Sequence, residues 1–216
     1  MISPYLAPGF YDTALAKGRH REIVGGRWDE TGRIQMQALR AEGLGAHHRL
    51  LDIGAGALRL GCKAVPYLHP GNYFATDASL ALMKRGRDLE LPDPAALPDD
   101  HLIEDADFAF PRIPPVDYAI AFGVFTHLPR TSLALALTNL RLRQPRLHVF
   151  LFTVFLAPDP TLSHRQNDGV VTHADRPPYH LSLPDLLAIA KATGWAILHR
   201  DTVLPRGQAL FVGRPG

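Results

Sequence analysis

The chain has 216 residues, 46% hydrophobic and 20% charged, with a formal net charge of +2. These proportions exclude global disorder, and the length suits one well-buried α/β domain with a modest appendage rather than two full domains. No run of Lys and Arg long enough for a nucleic-acid patch occurs, so no nucleic-acid partner is expected.

The opening, Met1 to Pro8, lacks the basic lead and apolar core of a secretory leader. The most apolar segment, Leu147 to Ala157, falls short of the roughly 20 residues that span a bilayer, so no membrane partner is expected. The single Cys62 excludes an intrachain disulfide and suits a reducing cytoplasm, the expected location.

Residues 1 to 46 precede the first convincing strand and read as a helical N-terminal appendage to a main domain over 47 to 216. A short helix is expected near Asp12 to Lys17, and Gly25-Gly26 breaks the chain before Trp28. From Thr31, the residues Ile34, Met36, Ala38, Leu39 and Leu44 fit a second helix ended by Gly43 and Gly45, placed against the sheet near a ligand cleft.

The run Arg49 to Gly61 reads as strand, glycine turn and helix: Leu50 to Ile53 are too few for a buried helix, Gly54 and Gly56 admit a tight backbone, and a helix is expected from Leu58 to Tyr67. Such a turn suits a nucleotide-like ligand. A dinucleotide fingerprint would need a third glycine where Arg59 stands, which weakens an NAD-dependent reading without removing it.

Strand and helix signals then alternate. Tyr73 to Thr76 precede a helix from Ser79 to Glu90, a Pro- and Asp-rich loop follows to Asp100, His101 to Ile103 form a weak strand, and Asp117 to Ala121 a strong one. Leu133 to Leu142 read as helix, and Leu147 to Phe155 as a buried central strand, since the apolar run leaves no solvent face. Five parallel strands with helices on both faces are expected.

The polar, aperiodic stretch Pro158 to Pro178 reads as a long loop and candidate lid. Ser182 caps a helix with Pro184 in its first turn, ended by Gly194. Two last strands, Trp195 to Val203 and Ala209 to Val212, join through Pro205-Arg206-Gly207.

Asp77, 21 residues after Gly56, stands at the carboxyl end of the second strand, where an acid accepts hydrogen bonds from ribose hydroxyls or caps the next helix. Eleven histidines include His47-His48, His164, His173 and His180, but no spacing of a metal site occurs and no metal is expected. The elbow of serine hydrolases and the phosphate loop of kinases are likewise missing.

Asp52-x-Gly54-x-Gly56 resembles the first motif of the class I S-adenosylmethionine-dependent methyltransferases, and Asp77 their second. The chain further resembles a bacterial subfamily of these enzymes in Gly25-Gly26-Arg27-Trp28-Asp29-Glu30, Leu58-Arg59, Val124-Phe125-Thr126-His127-Leu128-Pro129, Tyr179-His180 and Pro205-Arg206-Gly207-Gln208. It departs from them before the fifth strand, where Arg143-Gln144-Pro145-Arg146-Leu147 replaces a Pro-Gly-Gly turn.

The resemblance implies a doubly wound, Rossmann-like, seven-stranded and mostly parallel sheet with one antiparallel edge strand, in the order 3-2-1-4-5-7-6. It implies methyl transfer from S-adenosyl-L-methionine, leaving S-adenosyl-L-homocysteine, to a small-molecule acceptor, with oxygen and nitrogen ranked ahead of carbon as the accepting atom. The cofactor residues it implies are Asp52, Gly54, Ala55, Gly56, Arg59, Asp77, Ala78, Asp105, Ala106 and Phe122. Within that set Arg59 would stand near the methionine carboxylate, Asp105 would reach the adenine amino group, and Ala106 would supply a backbone N–H. His127 and His180 are the candidate bases, with His173 and Asp175 behind them, and His127 also reads as a residue that orders its own turn. A protein that binds cofactor or partner without transferring the methyl group is the alternative from another class.

Overall fold

The computed structural model describes residue 7 and residues 9 to 216. The expectation about a secretory leader falls almost wholly outside them.

The N-terminal segment carries α1 (Asp12–Ala16), α2 (His20–Ile23) and α3 (Trp28–Ala41). The third begins three residues earlier than Thr31, with Trp28 buried in its first turn beside Ala57 and Leu82. The main fold follows as β1 (Leu50–Ile53), α4 (Gly61–Ala64), β2 (Tyr73–Asp77), α5 (Leu80–Glu90), β3 (Leu102–Glu104), β4 (Tyr118–Ala121), α6 (Arg130–Arg143) and β5 (Val149–Leu156). It ends in α7 (Leu183–Ala192), β9 (Trp195–Arg200) and β10 (Ala209–Pro215), after three two-residue strands, β6 (His164–Arg165), β7 (Val171–Thr172) and β8 (His180–Leu181).

The sheet runs β3-β2-β1-β4-β5-β10-β9, the expected order, and its first five strands are parallel. Antiparallel pairing is confined to one side of the sheet, where β10 inserts between β5 and β9. An eighth strand, β8, extends the end of β5 through Phe155 and Leu156. It was not expected, because its two residues carry no periodicity of their own.

Alternate residues of each strand enter opposite cores. In β5, Phe150 and Phe152 pack with Leu133, Leu137 and Leu186 of α6 and α7, while Val149 and Leu151 share the other core with Leu39 of α3 and Met83 of α5. The N-terminal segment thus completes one face of the sheet.

Two expectations need correction. The helix after the glycine turn is four residues long, not ten: Ala57 to Leu60 run as turns, Leu58 sits in the left-handed region at φ 61°, and Pro66 cannot donate a helical hydrogen bond. The loop Pro158 to Pro178 is also not without structure. It holds the antiparallel β6–β7 pair, stapled by Gln166, whose amide donates to Leu156 O (3.1 Å) and Thr172 Oγ1 (3.0 Å).

The turn before β5 is rebuilt around a side chain. Gln144 is buried at the end of α6, its Oε1 accepts from Val116 N–H at 3.0 Å, and Leu147 N–H donates back to its carbonyl. Gln144→Ala leaves the Val116 N–H buried without an acceptor. It is expected to cost about 1–3 kcal/mol in a urea melt, without changing ligand binding, because the turn is outside the cleft described next.

Candidate active site

The carboxyl ends of β1 to β4 open into a cleft of about 200 Å3. This is the end at which ligands collect in open α/β sheets. All ten expected cofactor residues line it, as does His127. His180 does not. It is buried beneath the β6–β7 pair with Nδ1 2.8 Å from Thr172 Oγ1. His173 and Asp175 are outside the cleft too, His173 holding Ser163 Oγ at 2.8 Å and Asp175 lying beside Arg176. No residue of 158 to 178 lines the cleft. The wall is supplied instead by Tyr11 and by Ile23 to Gly25 and Arg27 of the N-terminal segment. Among the described residues no group of three or more His, Cys, Asp or Glu could hold a metal, and no helix is long and apolar enough to cross a membrane.

The acids stand where the strands end, and each is engaged. Asp52 accepts from Tyr73 Oη at 2.6 Å. Asp77 accepts from Gly56 N–H at 2.8 Å and Ser79 N–H at 2.9 Å, which ties the glycine turn to the second strand. Its capping of the next helix is taken over by Ser79, whose Oγ accepts from Leu82 N–H. Asp105 accepts from the N–H groups of Asp107, Ala109 and Phe110, so its carboxylate shapes its own loop. The turn needs its glycines for close packing: at Gly54, φ 68°, a Cβ would stand 2.4 Å from Val124 Cγ2.

Arginines fasten the wall. Arg59 donates from Nη1 to Val24 O (3.2 Å) and Gly26 O (2.9 Å), and Arg206 from Nη2 to Gly25 O (3.2 Å). Outside the cleft, Arg21 and His20 hold Glu90 of α5 at 2.6 Å. Sequence reasoning missed Thr31 and Gln35 of α3, Arg206 and Gln208, all of which line the cleft. For the last two the signal existed in Pro205-Arg206-Gly207-Gln208, but nothing local assigned it a place.

Burial dominates the electrostatics. It raises the Asp52 carboxyl from an ordinary 3.8 to about 7, with neighbouring Asp77 adding to the rise and Tyr73 and Arg59 opposing it. Asp77 is raised by burial as well, against the pull of its backbone N–H partners. His127 goes the other way, lowered from 6.5 to about 4 by burial and then by the Arg206 charge.

These shifts make opposite pH signatures in stability. Folded Asp52 keeps a proton that the unfolded chain releases above about pH 4, so its contribution falls as pH rises and is lost by about pH 7. His127 is uncharged when folded but protonates when unfolded below about 6.5, so its contribution falls as pH drops toward 4. Asp52→Asn keeps an acceptor for Tyr73 and should stabilise the protein at pH 7.5 by an amount on the order of 4 kcal/mol more than at pH 4. His127→Gln should show a relative gain of about 3 kcal/mol on going from pH 7 to pH 4. Urea melts at both pH values check this, and pH-independent differences from the parent would contradict it.

No family model matches the chain, and no curated protein matches it. Solved structures do. The magnesium protoporphyrin IX methyltransferase from Synechocystis PCC 6803 with bound S-adenosylmethionine is 14% identical, with 95% of this chain and 94% of that one covered and a TM-score of 0.63. The 1,6-didemethyltoxoflavin-N1-methyltransferase of Burkholderia thailandensis, with bound 1,6-didemethyltoxoflavin and S-adenosylhomocysteine, is 19% identical over 100% and 93%, with a TM-score of 0.62. The glycopeptide N-methyltransferase MtfA is 15% identical over 88% and 90%, with a TM-score of 0.59. At these identities the likeness concerns the fold, and the chain is built on the Rossmann-like methyltransferase fold.

Proposed function

We propose that this protein transfers a methyl group from S-adenosyl-L-methionine to a small-molecule acceptor, at oxygen or nitrogen. The observation that supports it best is a single cleft lined at one end by the glycine turn and Asp77, and further along by His127. The residues fit the cofactor. Gln35 Oε1 and Arg59 Nε are buried polar atoms without a hydrogen-bond partner among the described residues, and both side chains line the cleft. An orphaned acceptor and an orphaned donor suit the ammonium and carboxylate of an amino-acid moiety. Asp77 keeps lone pairs for ribose hydroxyls beyond the two N–H groups it accepts.

Bound S-adenosylmethionine would supply an already activated methyl group, so the protein's task is alignment and removal of a proton. Neutral His127 would take the proton of an acceptor hydroxyl as the new bond to carbon forms, or that of a protonated amine beforehand, which frees the lone pair that attacks. In this reading residues 1 to 46 are an appendage, whose Tyr11, Ile23 to Gly25 and Arg27 wall the cleft of a domain spanning 47 to 216.

Calorimetry with S-adenosylhomocysteine and with NAD tests the cofactor, and labelled methyl turnover onto acceptors in a cell extract tests transfer. Binding of the sulfur ligand alone, with turnover, is expected. NAD binding without it would restore the oxidoreductase, and cofactor binding without turnover would leave the non-catalytic alternative.

A further inference from the structure

The order of the strands also orders the cleft. Asp105, Asp77 and Asp52 come from β3, β2 and β1, His127 follows β4, and Gln208 leads into β10 beyond β5. With strands about 4.8 Å apart, Gln208 enters some 14 Å along the sheet from β1. The two ends differ in chemistry. Every carboxylate of the cleft lies at the β3–β1 end and is already hydrogen-bonded to protein. The β10 end offers donors.

The Gln208 amide is oriented by a relay. Thr153, fully buried on β5, accepts from Gly123 N–H at 2.8 Å and passes its own hydroxyl proton to Gln208 Oε1 at 2.7 Å. Turned over, the amide would leave that hydroxyl proton without an acceptor, so Oε1 stays on Thr153 and the NH2 group faces away from it. Among the described residues that NH2 has no partner. Two residues before Gln208, Arg206 also lines the cleft; its exposed guanidinium donates to the Gly25 carbonyl and makes no ion pair among the described residues. Its backbone is held in the left-handed region, φ 64°, in a tight turn before Gly207. An unneutralised cation and an oriented amide donor in one cleft fit an anionic oxygen pair, the geometry guanidinium and amide N–H groups recognise best.

We propose that the methyl acceptor carries a carboxylate, which Arg206 and the Gln208 amide hold at the β10 end of the cleft, presenting the atom to be methylated to His127. This rests on the methyltransferase reading and names its substrate class. Pairing with a carboxylate would also offset the Arg206 charge that acts on His127, so the acceptor would strengthen the base that serves it.

The test uses the full chain saturated with S-adenosylhomocysteine. A panel of aromatic and aliphatic carboxylates, each beside its primary amide, is titrated by calorimetry into the parent, Arg206→Gln and Gln208→Glu. The second substitution keeps an acceptor for Thr153 while replacing the NH2 donor by an anionic oxygen. Carboxylates should bind the parent at least tenfold more tightly than their amides. Both variants should lose that preference while still binding S-adenosylhomocysteine and keeping the circular dichroism spectrum of the parent. A panel in which no carboxylate binds, amides that bind as well, or a preference that survives both substitutions would overturn the proposal. Failure of S-adenosylhomocysteine itself to bind the parent is a separate result, and overturns the methyltransferase reading instead.

Discussion

Replacing His127 by Ala is expected to lower methyl transfer by 10²–10⁴-fold, the range over which general-base assistance acts, while changing S-adenosylhomocysteine affinity little. The side chain lines the cleft beyond the β4 end, away from Asp77 and Asp105, which are proposed to hold the cofactor. Its pKa near 4 leaves the imidazole neutral at physiological pH, able to accept a proton. As pH falls through about 4 the group protonates, so kcat/KM governed by it should hold above pH 5 and decline below. His127→Gln separates base from orienting group. Gln can hydrogen-bond but cannot take the proton, so a base predicts that Gln is as slow as Ala, and recovery with Gln indicates orientation alone. Turnover left intact, with only the melting temperature lowered, would make His127 a turn residue, in keeping with its backbone N–H bond to Val124 O at 3.0 Å.

Gly86→Ala should destabilise the protein by about 3 kcal/mol or more, although helix propensity alone predicts a gain of about 1 kcal/mol in mid-helix. Gly86 is on α5, and a Cβ there would stand 2.1 Å from Ala57 O and 2.4 Å from Ala57 C. Those are backbone atoms of the residue after Gly56, so no side chain can rotate away. Either α5 or the glycine turn must move by about an ångström, a strain several times the propensity gain. Because the same turn is held by Asp77 through Gly56 N–H, S-adenosylhomocysteine binding should weaken along with stability. Denaturant melts and calorimetry on one preparation measure both. A variant as stable as the parent would show that the contact relaxes without cost.

Local pattern was enough for the scaffold. Four-residue, mainly apolar strands ending in Ile53 and in Ala121, the unbroken run of β5 and the Asp77 spacing are short-range signals, because a buried parallel strand must be apolar on both faces whatever lies beside it. The resemblance supplied the strand order, which periodicity cannot.

What only the tertiary structure decided involves partners far apart in the chain. The Thr153–Gln208 bond joins residues 55 apart, and the Arg206–Gly25 bond residues 181 apart. Asp105 reads as a ligand acid in the sequence, yet three local N–H groups already occupy its carboxylate. His180 reads as a base beside a lid, yet Thr172 and the β6–β7 pair hold it away from the cleft. Leu58 is helical by propensity, but the approach of α5 at Gly86 fixes the backbone next to it. Residue type and spacing therefore placed the strands and the glycine turn. Which side chains meet in the cleft was decided by packing between distant segments, since a polar side chain's role depends on the partner that reaches it and not on its neighbours in sequence.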